Sequence, residues 1–377
     1  MSTQKLHGKA LLVYIEPTPY VLSLVDRLAR AWPDGIDVVF LGANLSQPWQ
    51  LPLEHGVPDI LPRPRGAAAR SLQRRIRSGQ YAIVHLAGWG HPLLFLTMIF
   101  SRLSGLPIAV ETDTPLSLAQ SWTRLAAKRV LYPALFRMPS IFLPGGTRQR
   151  RYLQHYGVPD DRITVAQMTV DVTAIAAYVG AIAPDVRRDL REKIGLPART
   201  CAFLFVGRLE PAKGVETLLQ AYCDLVARRD DVRLLVVGDG AYGGMLRVAA
   251  SKVPGLKWLG RLDGTALLDV YAAADVHVLP SKFEPWGLVV NEAMAAGLPV
   301  IASRRVGCVD DLVIDGETGF VVEADSRSAL ADAMNRLADD ASLRQAMGAA
   351  ARQRISSWTI EAEAKIVVGA WHRALRT

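Results

Sequence analysis

The chain has 377 residues, half of them hydrophobic and 21% charged, with three cysteines and a formal net charge of +8. That length exceeds what one hydrophobic core usually organises, and the ordinary composition excludes a disordered, collagen-like or disulfide-framework protein. Cys201, Cys223 and Cys308 have no metal-ligand spacing, so a reducing cytoplasm and no zinc site are expected.

The opening stretch MSTQKLHGKALLVYIEPTP holds an apolar run too short for a signal-peptide core, broken at Glu16 and Pro17, and export is not expected. The run reads as a strand, followed by an EPTP loop and an amphipathic helix through YVLSLVDRLARAW. Next comes a cluster of arginines, RPRGAAARSLQRRIRSG (Arg63 to Gly79), and a second, TRQRR, runs from Thr147 to Arg151. PLLFLTMIF, Pro92 to Phe100, is half the length of a spanning helix and reads as a buried helix face. SWTRLAAKRVLYPALFRMPSIF, Ser121 to Phe142, mixes aromatics with cations. It reads either as an interfacial patch or as core with a charged outer face.

Charge is unevenly spread. Residues 1–184 hold 19 Lys and Arg against 11 Asp and Glu, leaving 25 of each sign in 185–377, so the whole excess lies in the first half. An anionic partner follows for that half. A membrane surface is favoured over nucleic acid, because no recognition motif or stacking aromatic series accompanies the charge. The alternative is a set of solvated helix faces.

YVGAIAPDVRRDLREKIGLPART, Tyr178 to Thr200, loses strand character and carries Gly180 and Pro184, which places a boundary near 180. Beyond it CAFLFVGRLEPAKGVETLLQAYCDLVA repeats the order of strand, Glu-Pro loop and helix. VRLLVVG, LKWLG, ADVHVLPS, LPVIAS and TGFVVEA follow as further strands. Apolar strands alternating with helices predict an α/β protein with two doubly wound parallel sheets.

Ligands of open parallel sheets bind beyond the carboxyl ends of the strands, and three loops there carry chemistry. In VGRLEPAKG, Gly207 lets the backbone turn, and Arg208 and Lys213 put two cations around one loop, suited to a diphosphate. VVGDGAYGG contains a literal G-x-G-x-x-G at Gly238, Gly240 and Gly243. A dinucleotide site, however, uses the first βα unit and an acid at the end of the next strand. This loop belongs to the second unit and the next strand ends in Arg261, so a dehydrogenase is the lesser alternative. In SKFEPWGLVVNEAM, Pro285 and Gly287 shape a turn into a helix. The free N–H groups of Gly287, Leu288 and Val289 would form an anion site there. Glu284 stands just before that helix, and Glu292 lies inside it with two oxygens for a ribose diol.

VGRLEPAKG followed by PSKFEPWGLVVNEAMAAGLPVIAS resembles the group 1, or family 4, retaining glycosyltransferases, and the likeness continues through DGETGFVVEADSRSALADAMNRLADD. The resemblance implies a GT-B fold, with two facing Rossmann-like doubly wound domains and an interdomain cleft. It assigns 1–180 to acceptor binding and 181–356 to the nucleotide-sugar donor, with 357–377 a helix returning to the first domain. It also implies transfer of a hexose-type sugar from a UDP- or GDP-sugar to an acceptor hydroxyl. The anomeric configuration is retained by a front-face, oxocarbenium-like route. The E-x7-E element falls on Glu284 and Glu292, and the diphosphate-binding pair on Arg208 and Lys213.

Two departures lie in the first half: EPTPYVLS replaces a Gly-Gly loop, and LPIAVETDTPLS puts Asp113, beside Glu111, where relatives carry a histidine. The expected catalytic set is therefore Arg208, Lys213, Glu284 and Asp113, with His85 as another candidate near the sugar. The nucleotide-binding set is Gly207, Gly238, Arg261, Gly287, Leu288, Val289 and Glu292. No D-x-D occurs, so metal independence is expected and no cofactor beyond the donor. A lipid-carrier-linked or polysaccharide-precursor acceptor, at the inner face of the plasma membrane, fits the basic half. Three alternatives stand: a glycosidase using Glu284 and Glu292 as acid and nucleophile, a sugar-nucleotide epimerase of the same fold, and a non-catalytic nucleotide-binding module on membranes.

Overall fold

The computed structural model describes residues 7–43, 45, 59–116 and 122–376. The chain divides into two units, Met1–Met168 with Ile360–Thr377, and Thr169–Thr359.

The first unit begins β1 (Lys9–Tyr14), α1 (Pro19–Ala31), β2 (Ile36–Phe40), α2 (Arg65–Arg77) and β3 (Tyr81–Leu86). It continues α3 (Pro92–Leu103), β4 (Ile108–Thr112), α4 (Trp122–Leu135), β5 (Ile141–Pro144) and α5 (Thr147–His155). The strands pair in parallel in the order β2-β1-β3-β4-β5. Strands covered on both faces lose the usual alternation and read as continuous apolar runs, which is why KALLVY is a strand and is buried from Ala10 onward. Helix α1 starts where Thr18 accepts a hydrogen bond from Val21 N and Pro19 presets the first turn.

Two core clusters cover the sheet. One gathers Leu22, Leu24 and Leu28 of α1, and the other Leu72, Ile76 and Met98 of α2 and α3. Of the first cluster, Arg65, Arg70, Arg74 and Arg77 are exposed on a helix whose buried side is Ala68, Leu72 and Ile76, while Arg75 is half-buried and pairs with Asp59 at 2.7 Å. They form a solvated helix face. The Pro92–Phe100 run buries Leu93, Leu94 and Met98 in α3, as expected, and leaves Phe95 partly exposed. Among the described residues no helix is long and apolar enough to cross a membrane.

The second unit holds α6 (Val172–Gly180), α7 (Pro184–Ile194), β6 (Cys201–Val206), α8 (Val215–Val226), β7 (Val232–Val237), α9 (Gly243–Lys252) and β8 (Leu256–Trp258). It goes on with α10 (Gly264–Ala273), β9 (Val276–Leu279), α11 (Leu288–Ala295), β10 (Val300–Ser303) and α12 (Val309–Leu312). It closes with β11 (Gly319–Val322), α13 (Arg327–Asp339) and α14 (Ala341–Ile355). All strands are parallel, in the order β11-β10-β9-β6-β7-β8. The chain runs from β6 outward to β7 and β8, then returns to lay β9 on the other side of β6. That reversal opens a crevice at the carboxyl ends of β6 and β9.

The division differs from the boundary expected near 180. Helix α6 packs on α10 and α11 and so belongs to the second unit; Gly180 and Pro184 mark only the turn between α6 and α7. The last helix, α15 (Ile360–Ala374), belongs to the first unit and packs on α1. Its fully buried Trp371 meets Trp32 edge-on at 5.4 Å.

Both ends of the second unit are tied to one turn. Thr169 donates to the carbonyl of Trp358 at 2.7 Å, and Asn291 Nδ2 donates to Thr169 Oγ1 at 3.2 Å. Trp286 Nε1 donates to Asn291 Oδ1 at 3.1 Å, and the rings of Trp286 and Trp358 stack at 5.6 Å. A buried amide satisfied on both sides fixes the Pro-Trp-Gly turn in one place.

Candidate functional site

At the end of β6 the loops are stitched together by their backbones. Gly207 N donates to Val237 O at 3.0 Å, and Gly238 N to Gly260 O at 2.7 Å. A Cβ on Gly238 would lie 1.8 Å from Gly207 O, and one on Gly240 would lie 2.8 Å from Leu209 O. These two glycines of the G-x-G-x-x-G match are thus explained by loop packing against loop, without a dinucleotide.

The loop after β6 also packs on the loop after β9. Gly214, at φ 70°, has no room for a Cβ, which would sit 2.1 Å from Pro280 O. Lys282 N and Phe283 N donate to Ala212 O at 2.8 and 3.2 Å. Between these loops the Lys213 ammonium forms an ion pair with Glu284 Oε2, both side chains largely buried. Arg208, at the same loop's start, is exposed and pairs with Glu210 at 3.0 Å.

The Pro-Trp-Gly turn is held from its other side by the segment after β10. Gly307 N donates to Glu284 O at 2.9 Å, and Cys308 N to Trp286 O at 3.0 Å. Gly287 takes φ 101° and opens α11 with no side-chain cap. The amides of Leu288 and Val289 have no intrahelical acceptor and no hydrogen-bond partner among the described residues. They point where the helix dipole is positive, next in sequence to a turn that also carries Glu284 and, through it, Lys213. Cation, guanidinium and free amides at one crevice describe a receptacle for a phosphorylated ligand.

Glu292, one turn into α11, is partly buried and accepts a hydrogen bond from Tyr271 Oη on Oε2 at 2.7 Å. Burial pushes its carboxyl up to about 7, against the opposing pull of that hydrogen bond. Tyr271, on α10, is fully buried and was not a sequence candidate. A buried phenol needs a polar partner, which is the one signal by which YAAADVHVLP could have revealed it.

The remaining predicted residues have partners of their own. Arg261 is exposed and pairs locally with Asp263 at 3.1 Å, beyond Gly238, whose carbonyl accepts from Trp258 Nε1 at 2.9 Å. Asp113 belongs to the first unit, exposed just beyond β4, with its carbonyl accepting from Gln149 at 3.3 Å. His85, expected as a further candidate near the sugar, is fully enclosed in the first unit's core. Its Nδ1 accepts from Trp371 Nε1 at 3.0 Å, which leaves the proton on Nε2, 2.9 Å from Glu111 Oε1. Tyr14 Oη donates to the same carboxylate oxygen at 3.0 Å. The strand-end histidine is structural here because a tryptophan from the last helix covers it. Among the described residues no group of three His, Cys, Asp or Glu side chains is placed to hold a metal ion.

Residues 186–354 match the family described as glycosyl transferases group 1. The D-inositol 3-phosphate glycosyltransferase of Corynebacterium diphtheriae is 34% identical over 56% of this chain and 51% of its own length. The protein of the same name from an Arthrobacter species is 29% identical over 87% of this chain and 78% of its own length. The chain spans about half the length of several curated relatives it matches. A crystal structure of Anabaena Alr3699/HepE in complex with UDP and glucose superposes with a TM-score of 0.75 over 96% of this chain and 99% of that one, at 20% identity. That likeness shows the GT-B fold.

Proposed function

We propose that the protein, whose residues 186–354 match the family described as glycosyl transferases group 1, transfers a hexose-type sugar from a UDP- or GDP-sugar to an acceptor hydroxyl, retaining the anomeric configuration as family 4 enzymes do. The observation that carries the reading is the Lys213–Glu284 ion pair, which joins the loop after β6, carrying Arg208, to the loop after β9, which leads into the uncapped start of α11.

The difficult part of such a transfer is departure of the diphosphate. Negative charge develops on the leaving oxygen, and preorganised donors aimed there lower the barrier, each worth roughly 100- to 1000-fold in rate. Arg208, Lys213 and the amides of Leu288 and Val289 are those donors. They supply the positive charge that a bridging metal supplies elsewhere, so transfer proceeds without a divalent ion. Lys213 holds Glu284 at the edge of the same charge field, where its carboxylate positions sugar hydroxyls. Glu292 accepts the ribose hydroxyls, and Gly207, Gly238 and Arg261 flank the nucleotide.

The acceptor is anionic or lipid-linked on this reading, met at the inner face of the membrane by the first unit, which carries Asp113 at the position where relatives have a histidine. Two supports are independent of each other: the excess basic charge of the first half, and α4, which leaves Trp122, Val130 and Leu131 exposed beside Lys128 and Arg129. The two relatives named for D-inositol 3-phosphate act on a phosphorylated compound, in keeping with such an acceptor. The hydrolase reading fits less well, since Glu284 is neutralised by Lys213 and so is a poor nucleophile.

A thermal-shift panel of UDP, GDP, ADP and dTDP, followed by mass spectrometry of products from the matching sugar donors, tests the proposal. One diphosphate should raise the melting temperature, and sugar should move to an added acceptor. Failure of every diphosphate to stabilise the chain removes the donor site; free sugar or isomerised donor as the sole product replaces transferase with hydrolase or epimerase.

A further inference from the structure

We propose that Tyr271 is a positioning residue for nucleotide binding: its phenol holds Oε2 of Glu292 so that the other carboxylate oxygen is left for the ribose hydroxyls. The inference rests on the donor site proposed above and adds a residue that touches no ligand.

Tyr271 comes from α10, and its side chain is fully buried. The hydroxyl lies 2.7 Å from Glu292 Oε2 and 3.5 Å from the carbonyl of Val289, the second residue of α11. The base on which it stands is fixed. Arg187 Nε donates to Ala272 O at 2.8 Å, and Arg191 Nη1 to Ala273 O at 2.7 Å, so two arginines of α7 clamp the end of α10. Both also bond Asp275, with which the chain turns into β9. The phenol is therefore presented to Glu292 from a rigid support.

A glutamate on a helix surface turns about three bonds, and a ligand that needs one arrangement pays for the loss of the others. A tyrosine that selects the arrangement beforehand removes much of that cost. A carboxylate offers about four lone-pair sites, and one phenol occupies one of them, so the diol still finds acceptors. Burial and the neighbouring carboxylate hold the Tyr271 hydroxyl well above its ordinary titration range, so it remains a donor at every working pH. Only the hydroxyl is required for this task; a phenyl ring of the same shape fills the same space.

Calorimetry of the preferred nucleoside diphosphate and of its 2′,3′-dideoxy counterpart, against wild type, Tyr271→Phe, Glu292→Ala and the double variant, separates positioning from general packing. Tyr271→Phe should weaken the ribonucleotide about 10- to 150-fold, the loss expected when a hydrogen bond to a charged group is removed, and leave the dideoxynucleotide unchanged. On the Glu292→Ala background it should add nothing. Equal losses for both nucleotides, or no loss for the ribonucleotide, would overturn the proposal while the donor site stands. A wild-type chain that binds neither nucleotide overturns both readings together. Should Tyr271→Phe not fold, Tyr271→Met supplies a smaller, flexible apolar side chain without the hydroxyl, with the same two outcomes.

Discussion

Lys213 and Glu284, 71 positions apart, form a largely buried ion pair across the loops that follow β6 and β9. Two residues assigned separate roles from sequence are thus one electrostatic unit, which separates stability from catalysis at this site. Replacing Lys213 by Met leaves the Glu284 carboxylate without its counter-charge, at a cost of about 1–3 kcal/mol. Lys213→Met/Glu284→Gln should recover part of that loss. Arg208→Ala, at an exposed position, should change stability by less than about 0.5 kcal/mol. On the proposed donor site each cation variant should nevertheless lower turnover roughly 100- to 1000-fold, the loss expected when a preorganised donor to the leaving group is removed. Urea unfolding beside steady-state kinetics distinguishes the two effects, and a Lys213→Met protein as stable as wild type contradicts the coupling.

The strands and the loops at their carboxyl ends were legible because a parallel strand buried on both faces leaves an unbroken apolar run, as CAFLFV does in β6. Gly287 as a helix start was legible for a local reason too: glycine is among the residues accepted at the N-cap, and an apolar helical pattern follows it at once. What escaped depends on residues far apart in the chain. His85 is enclosed by Trp371, 286 positions away, and no local pattern encodes that contact. Tyr271 sits in an apolar helical stretch, where a tyrosine serving a carboxylate looks the same as one filling core. Helix α6 was assigned to the first domain because Gly180 and Pro184 punctuate a helix–helix turn as readily as a domain boundary.

Glu292 gives a pH dependence of fixed sign. Its carboxyl is raised from 4.5 to about 7 in the folded chain, so the stability it contributes is complete below about 4.5 and is lost as pH rises through about 7. Ribose hydroxyls donate to the ionised form, so binding should expel a proton and affinity should climb as pH rises through about 7. The diphosphate's own titration is common to all variants; the difference between wild type and Glu292→Gln carries the effect. Calorimetry in buffers of different ionisation enthalpy should detect proton release in wild type, and identical release from Glu292→Gln would exclude this role.

Asn291 joins the Pro-Trp-Gly turn to Thr169 and, through it, to Trp358. Asn291→Leu leaves the buried Trp286 indole N–H without an acceptor and should cost about 2–4 kcal/mol. Because the turn that presents Leu288 and Val289 loses its anchor, nucleotide affinity should fall as well. A variant that unfolds at the wild-type urea concentration would show the network to be dispensable.

Helix α4 decides whether the first unit meets a bilayer. It packs through Tyr132, Leu135 and Phe136, with Phe136 5.0 Å from the Trp89 ring, while Trp122, Val130 and Leu131 are 78%, 76% and 63% exposed. Exposed apolar side chains interleaved with Lys128 and Arg129 are costly in water and favourable at an anionic interface. Each basic residue near such a surface is worth about 1 kcal/mol, so Lys128→Ala/Arg129→Ala should weaken partition to anionic vesicles about 30-fold. Trp122→Ser/Leu131→Ser should weaken it independently of salt, because what it removes is apolar burial. Both double variants alter only the first unit and should leave nucleotide binding by the second unchanged. Sedimentation with phosphatidylglycerol-containing liposomes measures this directly: wild type should sediment at low salt and be released at high salt. No sedimentation, or sedimentation indifferent to all four substitutions, would mean that α4 is covered by something other than lipid.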